Sequence, residues 1–477
     1  MSNTTQSLAG TRIESLLDAN SFVEIGERVT ARSTDFNLSQ KKAPSDGVIT
    51  GYGVIDGKLV YVYSQDAAVL GGTVGEMHAR KITSLYNLAL KMGAPVIGLI
   101  DCAGLRLEEA TDALSAFGEI YAKQACASGI IPQLTAVFGT CGGGMALVPG
   151  LADFTFAEAG KGRIFVNSPN ALAGNTEAKC DTSDAAFQAK ETGLVDGIGT
   201  EAEIIAKLRE LVGYLPSNNE DTDNIADCED DLNRSADGIE AMTGDTAYAI
   251  SCIADDGAFF EIKADYGQCV AAGFIRLNGA TVGVVANRSA VTDADGNVKE
   301  IGTTICPKGA EKAARFVNFC DAFEIPVLTL TNITGFKADL CAEKRIAGAA
   351  ARLVNAFASA TVPKVNVVIG KAYGTAAIAM NSKSIGSDMV FAWENAEIGM
   401  MDAALAAKIM YPGADAAKLS EKAAEYKALQ SSVDAAAARG YVDTVIAPAD
   451  TRKYVIGAFE MLYTKKEEHP AKKHGTV

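Results

Sequence analysis

Gly139-Thr-Cys-Gly-Gly-Gly-Met-Ala146 closes an apolar, strand-like run, and Gly370-Lys-Ala-Tyr-Gly-Thr-Ala-Ala377 closes another one later in the chain. Three adjacent glycines expose unencumbered backbone N–H groups and are costly to order, so the first turn implies close approach to something negatively charged. On these residues alone the negative group is open: a phosphate, a flavin, or a carbonyl oxygen becoming an anion. A tight strand-to-helix crossing in which only glycine fits is an equal reading.

Working outward, the two turns share one register. Pro95 and Pro326, Gly104 and Gly335, Pro132 and Pro363, and Gly143 and Gly374 are each 231 residues apart. One offset held across separate motifs marks an internal duplication. In the first half, residues 51–66 read as a hairpin about Asp56-Gly57. A helix through Arg80 to Met92, a strand over 96–101, a helix from about Ala113 to Ser128 and a strand over 133–139 follow. Residues 273–287, 325–335 and 361–374 repeat the pattern. Strands alternating with long helices predict an α/β layer architecture. The expected domains are 1–220 and 245–477, joined by a connector over 221–244 rich in Asp, Asn and Glu.

Composition narrows the chemistry. A net charge of -16 over 477 residues argues against a nucleic-acid or anionic-membrane surface. The ten cysteines form no C-x-x-C pair and read as reduced thiols of a cytosolic chain. No secretory leader and no long uncharged apolar span is visible, so the expected location is cytoplasmic, with docking on a membrane subunit left open. Neither G-x-G-x-x-G after a first strand nor G-x-x-x-x-G-K-[ST] occurs, which counts against dinucleotide or ATP chemistry. No His, Cys and Asp arrangement has metal spacing.

Histidine is nearly absent. His78 is the one histidine of the folded body, at the start of a helix where packing or capping outweighs catalysis; His469 and His474 sit in a charged tail. Cys141 lacks a base partner. Glu108 and Glu109 beside Arg106 read equally as a polar-substrate or a helix-capping group. Two anion nests with few acid–base residues suit a reaction whose difficult moment is stabilising an enolate, with the proton acceptor brought by a cofactor.

These features coincide with a family. Along nearly its full length the chain resembles the biotin-dependent acyl-CoA carboxyltransferases. The supporting stretches are RIESLLDANSFVEI, DGVITGYGVIDGKLVYVYSQDAAVLGGTVGEMHARKI, SGIIPQLTAVFGTCGGGMA, KGAEKAARFVNFCDAFEIPVLTLTNITGF and ATVPKVNVVIGKAYGTAAIAM. The resemblance implies tandem crotonase-like (ClpP/crotonase) domains, the N-terminal one binding acyl-CoA and the C-terminal one carboxybiotin. It places active sites where the N half of one subunit meets the C half of another, in a homo-hexamer built as a trimer of dimers.

Carried over by motif, Gly143 and Gly144 would receive the thioester oxygen, and Thr375 and Ala376 the biotin ureido oxygen. Tyr373, Gly374, Gly335 and Phe336 would complete the biotin side. Gly71, Gly72, Ala103, Gly104, Arg106, Gly142 and Ile378 would complete the acyl-CoA side. The implied reaction releases CO2 from carboxybiotin, uses the biotin anion as base, and lets the enolate attack CO2.

The chain departs from the family pattern at Thr334, Ala338 and Asp339, where two prolines and a glycine are usual, at C102-AGLR106, and at Thr375 and Ile378. It lacks a biotinyl-lysine motif, since K408-IM410 is not one, and lacks a domain for ATP. Biotin is therefore expected on a separate carboxyl carrier protein, with a biotin carboxylase subunit as partner. The resemblance leaves two directions: carboxylation of acetyl- or propionyl-CoA, or decarboxylation of methylmalonyl-, malonyl- or glutaconyl-CoA with a sodium-pumping membrane subunit. A noncatalytic CoA- or carrier-binding scaffold is a third reading.

Overall fold

Asp56 and Gly57 adopt φ of 47° and 82°, the paired positive values that a two-residue hairpin turn needs. They join the second and third strands of the first half, counting from β1 (Val23–Ile25). β2 (Val48–Ile55) and β3 (Lys58–Gln65) pair antiparallel from Val48↔Gln65 to Ile55↔Lys58, and β1 adds to the edge of β2. The parallel part follows as β4 (Val96–Cys102), β5 (Gln133–Gly142), β6 (Phe154–Glu158), β7 (Arg163–Phe165) and β8 (Gly197–Gly199). The sheet order is β1-β2-β3-β4-β5-β6-β8, with β7 on the far half of β5. β4 is a near-continuous apolar run and β5 is buried along most of its length, because both faces of the parallel centre are covered.

The computed structural model describes residues 7–32, 36, 42–222, 224–293 and 295–470; His474 lies outside them. The chain divides into two units, Met1–Asp223 and Asn224–Val477. The acidic stretch carries Ala236 and Ile239, both fully buried within a cluster of second-unit residues that includes Ile250, Ile275 and Val455.

In the second unit the hairpin is rebuilt by Asn278 and Gly279, again at positive φ. Its strands are β9 (Phe260–Ile262), β10 (Val270–Leu277), β11 (Ala280–Asn287), β12 (Ala290–Thr292), β13 (Val298–Glu300), β14 (Thr304–Ile305), β15 (Val327–Ile333), β16 (Gly335–Phe336), β17 (Lys364–Tyr373), β18 (Met389–Trp393), β19 (Glu397–Gly399) and β20 (Thr444–Ile446). The order β9-β10-β11-β15-β17-β18-β20, with β19 on β17, repeats the first sheet strand for strand. Even the irregularities coincide. The register of β4 on β5 shifts between Ile100 and Cys102, and that of β15 on β17 between Thr331 and Ile333.

That shift explains why β5 runs past 139. After it, Cys102 pairs with Cys141 on one side while β7 pairs Thr140 to Gly142 on the other, so the strand reaches the glycines still fully zipped. The helix expected from Ala113 is Ala110–Ala127, entered through a tight turn at Leu107–Glu109. The helix through Arg80 is Glu76–Met92, stopped by Gly93 in the left-handed conformation.

The duplicated α/β architecture is as expected. Hairpin, strand–helix alternation and glycine turn are local features that many α/β sheets share, so they do not by themselves support the crotonase-like assignment.

Candidate functional site: two glycine turns at strand ends

At the end of β5 the chain enters a short 3-10 turn, Gly143–Ala146; at the end of β17 it enters the helix Gly374–Ala379. Gly143 and Gly374 have φ of +59° and +62°, which a Cβ would strain. Gly142 and Tyr373 hold the cap positions and neither provides a side-chain acceptor. The N–H groups of the first residues, Gly143 and Gly144 in one unit and Gly374, Thr375 and Ala376 in the other, therefore have no intrahelical partner.

Each turn is braced from the adjacent strand. Asp101 Oδ1 accepts the Thr140 N–H at 3.2 Å, and Asn332 Oδ1 accepts the Lys371 N–H at 3.1 Å. These residues are again 231 apart. Gly139 and Gly370 permit the brace, since a Cβ there would lie 2.2 Å and 2.6 Å from the same oxygens. Sequence reading missed both braces, though the constant offset could have found them. It also missed Tyr121, whose hydroxyl donates to Gly144 O at 2.6 Å and would meet a Cβ on Gly144 at 2.9 Å.

In the first unit the structure gathers most of the expected acyl-CoA residues. Ala103 N–H donates to Gly71 O at 3.1 Å, Gly72 packs on the Asp101 carbonyl where a Cβ would lie 2.2 Å away, and a Cβ on Gly104 would lie 3.1 Å from Gly142 O. All lie at the carboxyl ends of β4 and β5, where open α/β sheets bind ligands.

Arg106 does not join them. It is 1% exposed, and its Nη1 contacts Asp46 Oδ1 at 2.5 Å and Glu109 Oε1 at 2.8 Å, while Nη2 donates to Thr73 O at 2.7 Å. Glu109 in turn accepts the Glu76 N–H at 2.7 Å and so caps the helix Glu76–Met92.

His78 and Cys141 are removed from base or nucleophile chemistry. His78 is buried, with Nδ1 on Asp46 O at 2.9 Å and Nε2 on Gln65 Nε2 at 3.1 Å. A ring donating through Nδ1–H and accepting at Nε2 is the neutral tautomer, and burial, with Arg106 nearby, pushes its pKa down to about 3. Burial pushes the Cys141 thiol well up.

In the second unit Gly374 and Thr375 border a cavity of about 590 Å3. Ile378, Val368, Ile398 and Met400 give it an apolar wall, and Ser382 Oγ is buried there with no hydrogen-bond partner among the described residues. Tyr373 is buried, its hydroxyl donating to Glu397 at 2.5 Å, and Ala376 is buried beneath the turn. Gly335 and Phe336 are half-buried on β16, which pairs with β14.

Residues 3–477 match the carboxyl transferase domain family. The chain belongs to the biotin-dependent acyl-CoA carboxyltransferase/decarboxylase family. It is 37% identical to the propionyl-CoA carboxylase beta chain of Roseobacter denitrificans, covering 98% of this chain and 92% of that one. It is 36% identical, with the same coverage, to the methylmalonyl-CoA decarboxylase subunit alpha of Veillonella parvula. Among solved structures it is similar to transcarboxylase 12S, crystallised as a hexamer with hydrolysed methylmalonyl-coenzyme A, at 34% identity and a TM-score of 0.91 over 98% of this chain and 92% of that one.

The carboxyltransferase is thus an enzyme acting on acyl-CoA substrates within a biotin-dependent system. The match also corrects the expected fold: the chain has the carboxyl transferase fold of duplicated α/β domains, as in transcarboxylase 12S, and not a ClpP/crotonase fold. No helix among the described residues is long and apolar enough to cross a membrane.

Proposed function

We propose that the enzyme transfers carboxylate to the α-carbon of a short acyl-CoA, acetyl- or propionyl-CoA, as the carboxyltransferase component of a multisubunit carboxylase. The observation carrying this reading is the pair of glycine turns 231 residues apart, each presenting N–H groups without intrahelical partners.

In the first turn the Gly143 and Gly144 N–H groups receive the thioester oxygen and hold its charge while the α-carbon is an enolate. Donors fixed in place for the charge that develops are worth more than donors that must reorganise. Gly71, Gly72, Ala103, Gly104 and Gly142 let the thioester approach backbone, and Arg106 acts at a distance by fixing the Thr73 carbonyl and the start of the helix Glu76–Met92.

In the second turn Thr375 and Ala376, with Gly374, offer N–H groups to the ureido oxygen of biotin held on a separate carrier protein. Biotin supplies the carboxyl group and the base, which accounts for a neutral, enclosed His78. The residues present suit its fused rings: an apolar wall of Val368, Ile398 and Met400, and Ser382 Oγ as a polar point with no partner among the described residues; Ile378, expected on the acyl-CoA side, lines the same cavity. Tyr373, anchored through Glu397, fixes the entry of the turn, and Gly335 and Phe336 lie on a neighbouring strand.

The likeness to methylmalonyl-CoA decarboxylase subunits favours a second reading, the reverse transfer alongside a membrane subunit. Assembly as a hexamer, a biotin carrier protein and a cytoplasmic location are common to both readings; a biotin carboxylase subunit belongs to the first and the membrane subunit to the second.

The test is transfer of labelled carboxylate from carboxylated carrier protein to a panel of acyl-CoAs, with the reverse reaction in parallel. Transfer to acetyl- or propionyl-CoA supports the first reading. Folded protein inert in both directions overturns both.

A further inference from the structure

Cys306 caps the N-terminus of the helix Pro307–Ala322, accepting the Gly309 N–H at 3.4 Å, and the Cys269 sulfur lies 3.1 Å from its own. We propose that Cys269 and Cys306 form an oxidation site at which a hydroperoxide converts two thiols into a reversible intrachain disulfide.

The geometry is prepared for the bond. A disulfide is about 2.05 Å long, so the sulfurs close by about 1 Å from where they stand. Gly309 leaves the room that Cys269 fills, since a Cβ there would lie 2.5 Å from its Sγ. The Cys306 N–H also points at Cys269 Sγ, at 3.3 Å. The two thiols differ in the way a nucleophile and a resolving thiol differ. Cys306 is half-buried, and its pKa is lowered by the hydrogen bond from Cys269, with help from the Gly309 N–H and the Lys337 ammonium. Cys269 is buried and raised, because it is the donor in that bond.

The other close thiols lack this asymmetry. Cys102 and Cys141 are strand neighbours, yet both are fully buried and burial pushes both upward, Cys102 to about 12.

The chemistry balances. The Cys306 thiolate attacks a peroxide oxygen; an S–O bond forms, the O–O bond breaks, and the departing hydroxide takes a proton to become water. Cys269 sulfur then attacks Cys306 sulfur; the S–S bond forms, the S–O bond breaks, and the leaving hydroxide takes the Cys269 proton. Two thiols lose two electrons and hydrogen peroxide is reduced to two waters.

The link reports on a functional segment. Cys306 directly follows β14, which pairs with β16, and the N–H groups of Thr334 and Lys337 donate to Thr303 and Ile305 carbonyls at 2.8 Å and 2.9 Å. A cross-link to Cys269 therefore ties down the strand beside Gly335 and Phe336.

The experiment treats the full-length protein with hydrogen peroxide and reads intact mass, peptide linkage and amide exchange. Expected are loss of two hydrogen atoms, a reducible peptide joining Cys269 to Cys306, and severalfold slower exchange at Thr334 and Lys337. Cys269→Ala should instead stop at a Cys306 oxygen adduct that a sulfenic-acid probe traps. Cys306→Ser, which keeps an N-cap oxygen, should lose the linkage and retain the fold. Unreacted thiols at both positions, a stable oxygen adduct on Cys306 beside a free Cys269, or a Cys306 linkage to any other cysteine would each overturn the proposal.

Discussion

The two glycine turns share a backbone and differ in what stands behind it. Both begin at a glycine near φ +60°, and both are braced by a side-chain oxygen from the neighbouring strand. At Gly144 the space a side chain would take is held by the Tyr121 hydroxyl, whereas at the matching position the second unit carries Thr375, exposed at the mouth of a cavity. The first brace, Asp101, is an anion with Arg12 Nη1 at 3.7 Å; the second, Asn332, is neutral and spends its amide on Thr243 O at 3.4 Å. Duplication has kept the backbone of the two turns and their braces and released the side chains around them.

The largest effect should come from breaking what the halves share. Gly143→Val and Gly374→Val each force a β-branched residue into the left-handed region and turn the following N–H groups aside. Losing one such donor costs about 10²–10³ in kcat, so each variant should fall by that much in carboxyl-transfer assays while still folding by circular dichroism. Near-normal turnover in both would dissolve the equivalence.

Next comes the difference. Gly144→Ala places a methyl 2.9 Å from Tyr121 Oη without backbone strain, since Gly144 is not at positive φ. Activity should drop about tenfold, equivalent to about 1.4 kcal/mol of transition-state stabilisation. Tyr121→Phe removes the obstructing oxygen, so the double variant should recover part of the loss. Thr375→Gly, with no tyrosine opposite, should change kcat by less than about threefold. Equal losses at Gly144→Ala and Thr375→Gly would make the neighbour irrelevant.

How much of this the sequence carried follows from the range of each interaction. The hairpins at Asp56-Gly57, the strands at 96–101 and 133–139, and the glycine turns were legible because alternation, turn residues and a constant offset are local or periodic. Arg106 was not. Its motif position suggested a substrate contact, but its partner Asp46 lies sixty residues upstream, and no local pattern announces a buried ion network. Tyr121 was invisible for the same reason, lying one helix away from the turn it supports. The fold name failed because a hairpin, strand–helix alternation and a glycine turn are local features that many α/β folds share.

A smaller contrast concerns the braces themselves. Asp101→Ala removes the acceptor of Thr140 and one of the carboxylates beside Arg12, which is 4% exposed, leaving Glu201 at 3.2 Å as its one ion-pair partner among the described residues. Unsatisfied buried donors cost about 1–3 kcal/mol, whereas losing a neutral hydrogen bond nets about 0.5–1.5 kcal/mol. Chemical denaturation should therefore place Asp101→Ala below Asn332→Ala in stability. The reverse order would show that charge plays no part in the first brace.

The least effect at neutral pH, and the most specific to one half, is expected at His78, whose counterpart at the 231 offset is Gly309. The folded pKa of His78 is about 3 against an ordinary 6.5, because the ring is enclosed as the neutral form. Its contribution is thus fully present above pH 6.5 and is lost as the pH falls toward 3, since the unfolded chain binds the extra proton first. The slope is at most about 1.4 kcal/mol per pH unit for one group. Asp46, whose backbone carbonyl meets the ring and whose carboxyl group accepts the His78 backbone N–H, is held above its ordinary value by burial and contributes with the opposite sign, so the wild-type curve alone does not isolate the histidine. The difference between wild type and His78→Gln does: the variant should be less sensitive to acid between pH 6.5 and 4.5, while its carboxyl-transfer rate at neutral pH stays within severalfold. A transfer rate as low as that of Gly143→Val would instead assign the ring to the chemistry and undo the division between turns that act and a network that supports them.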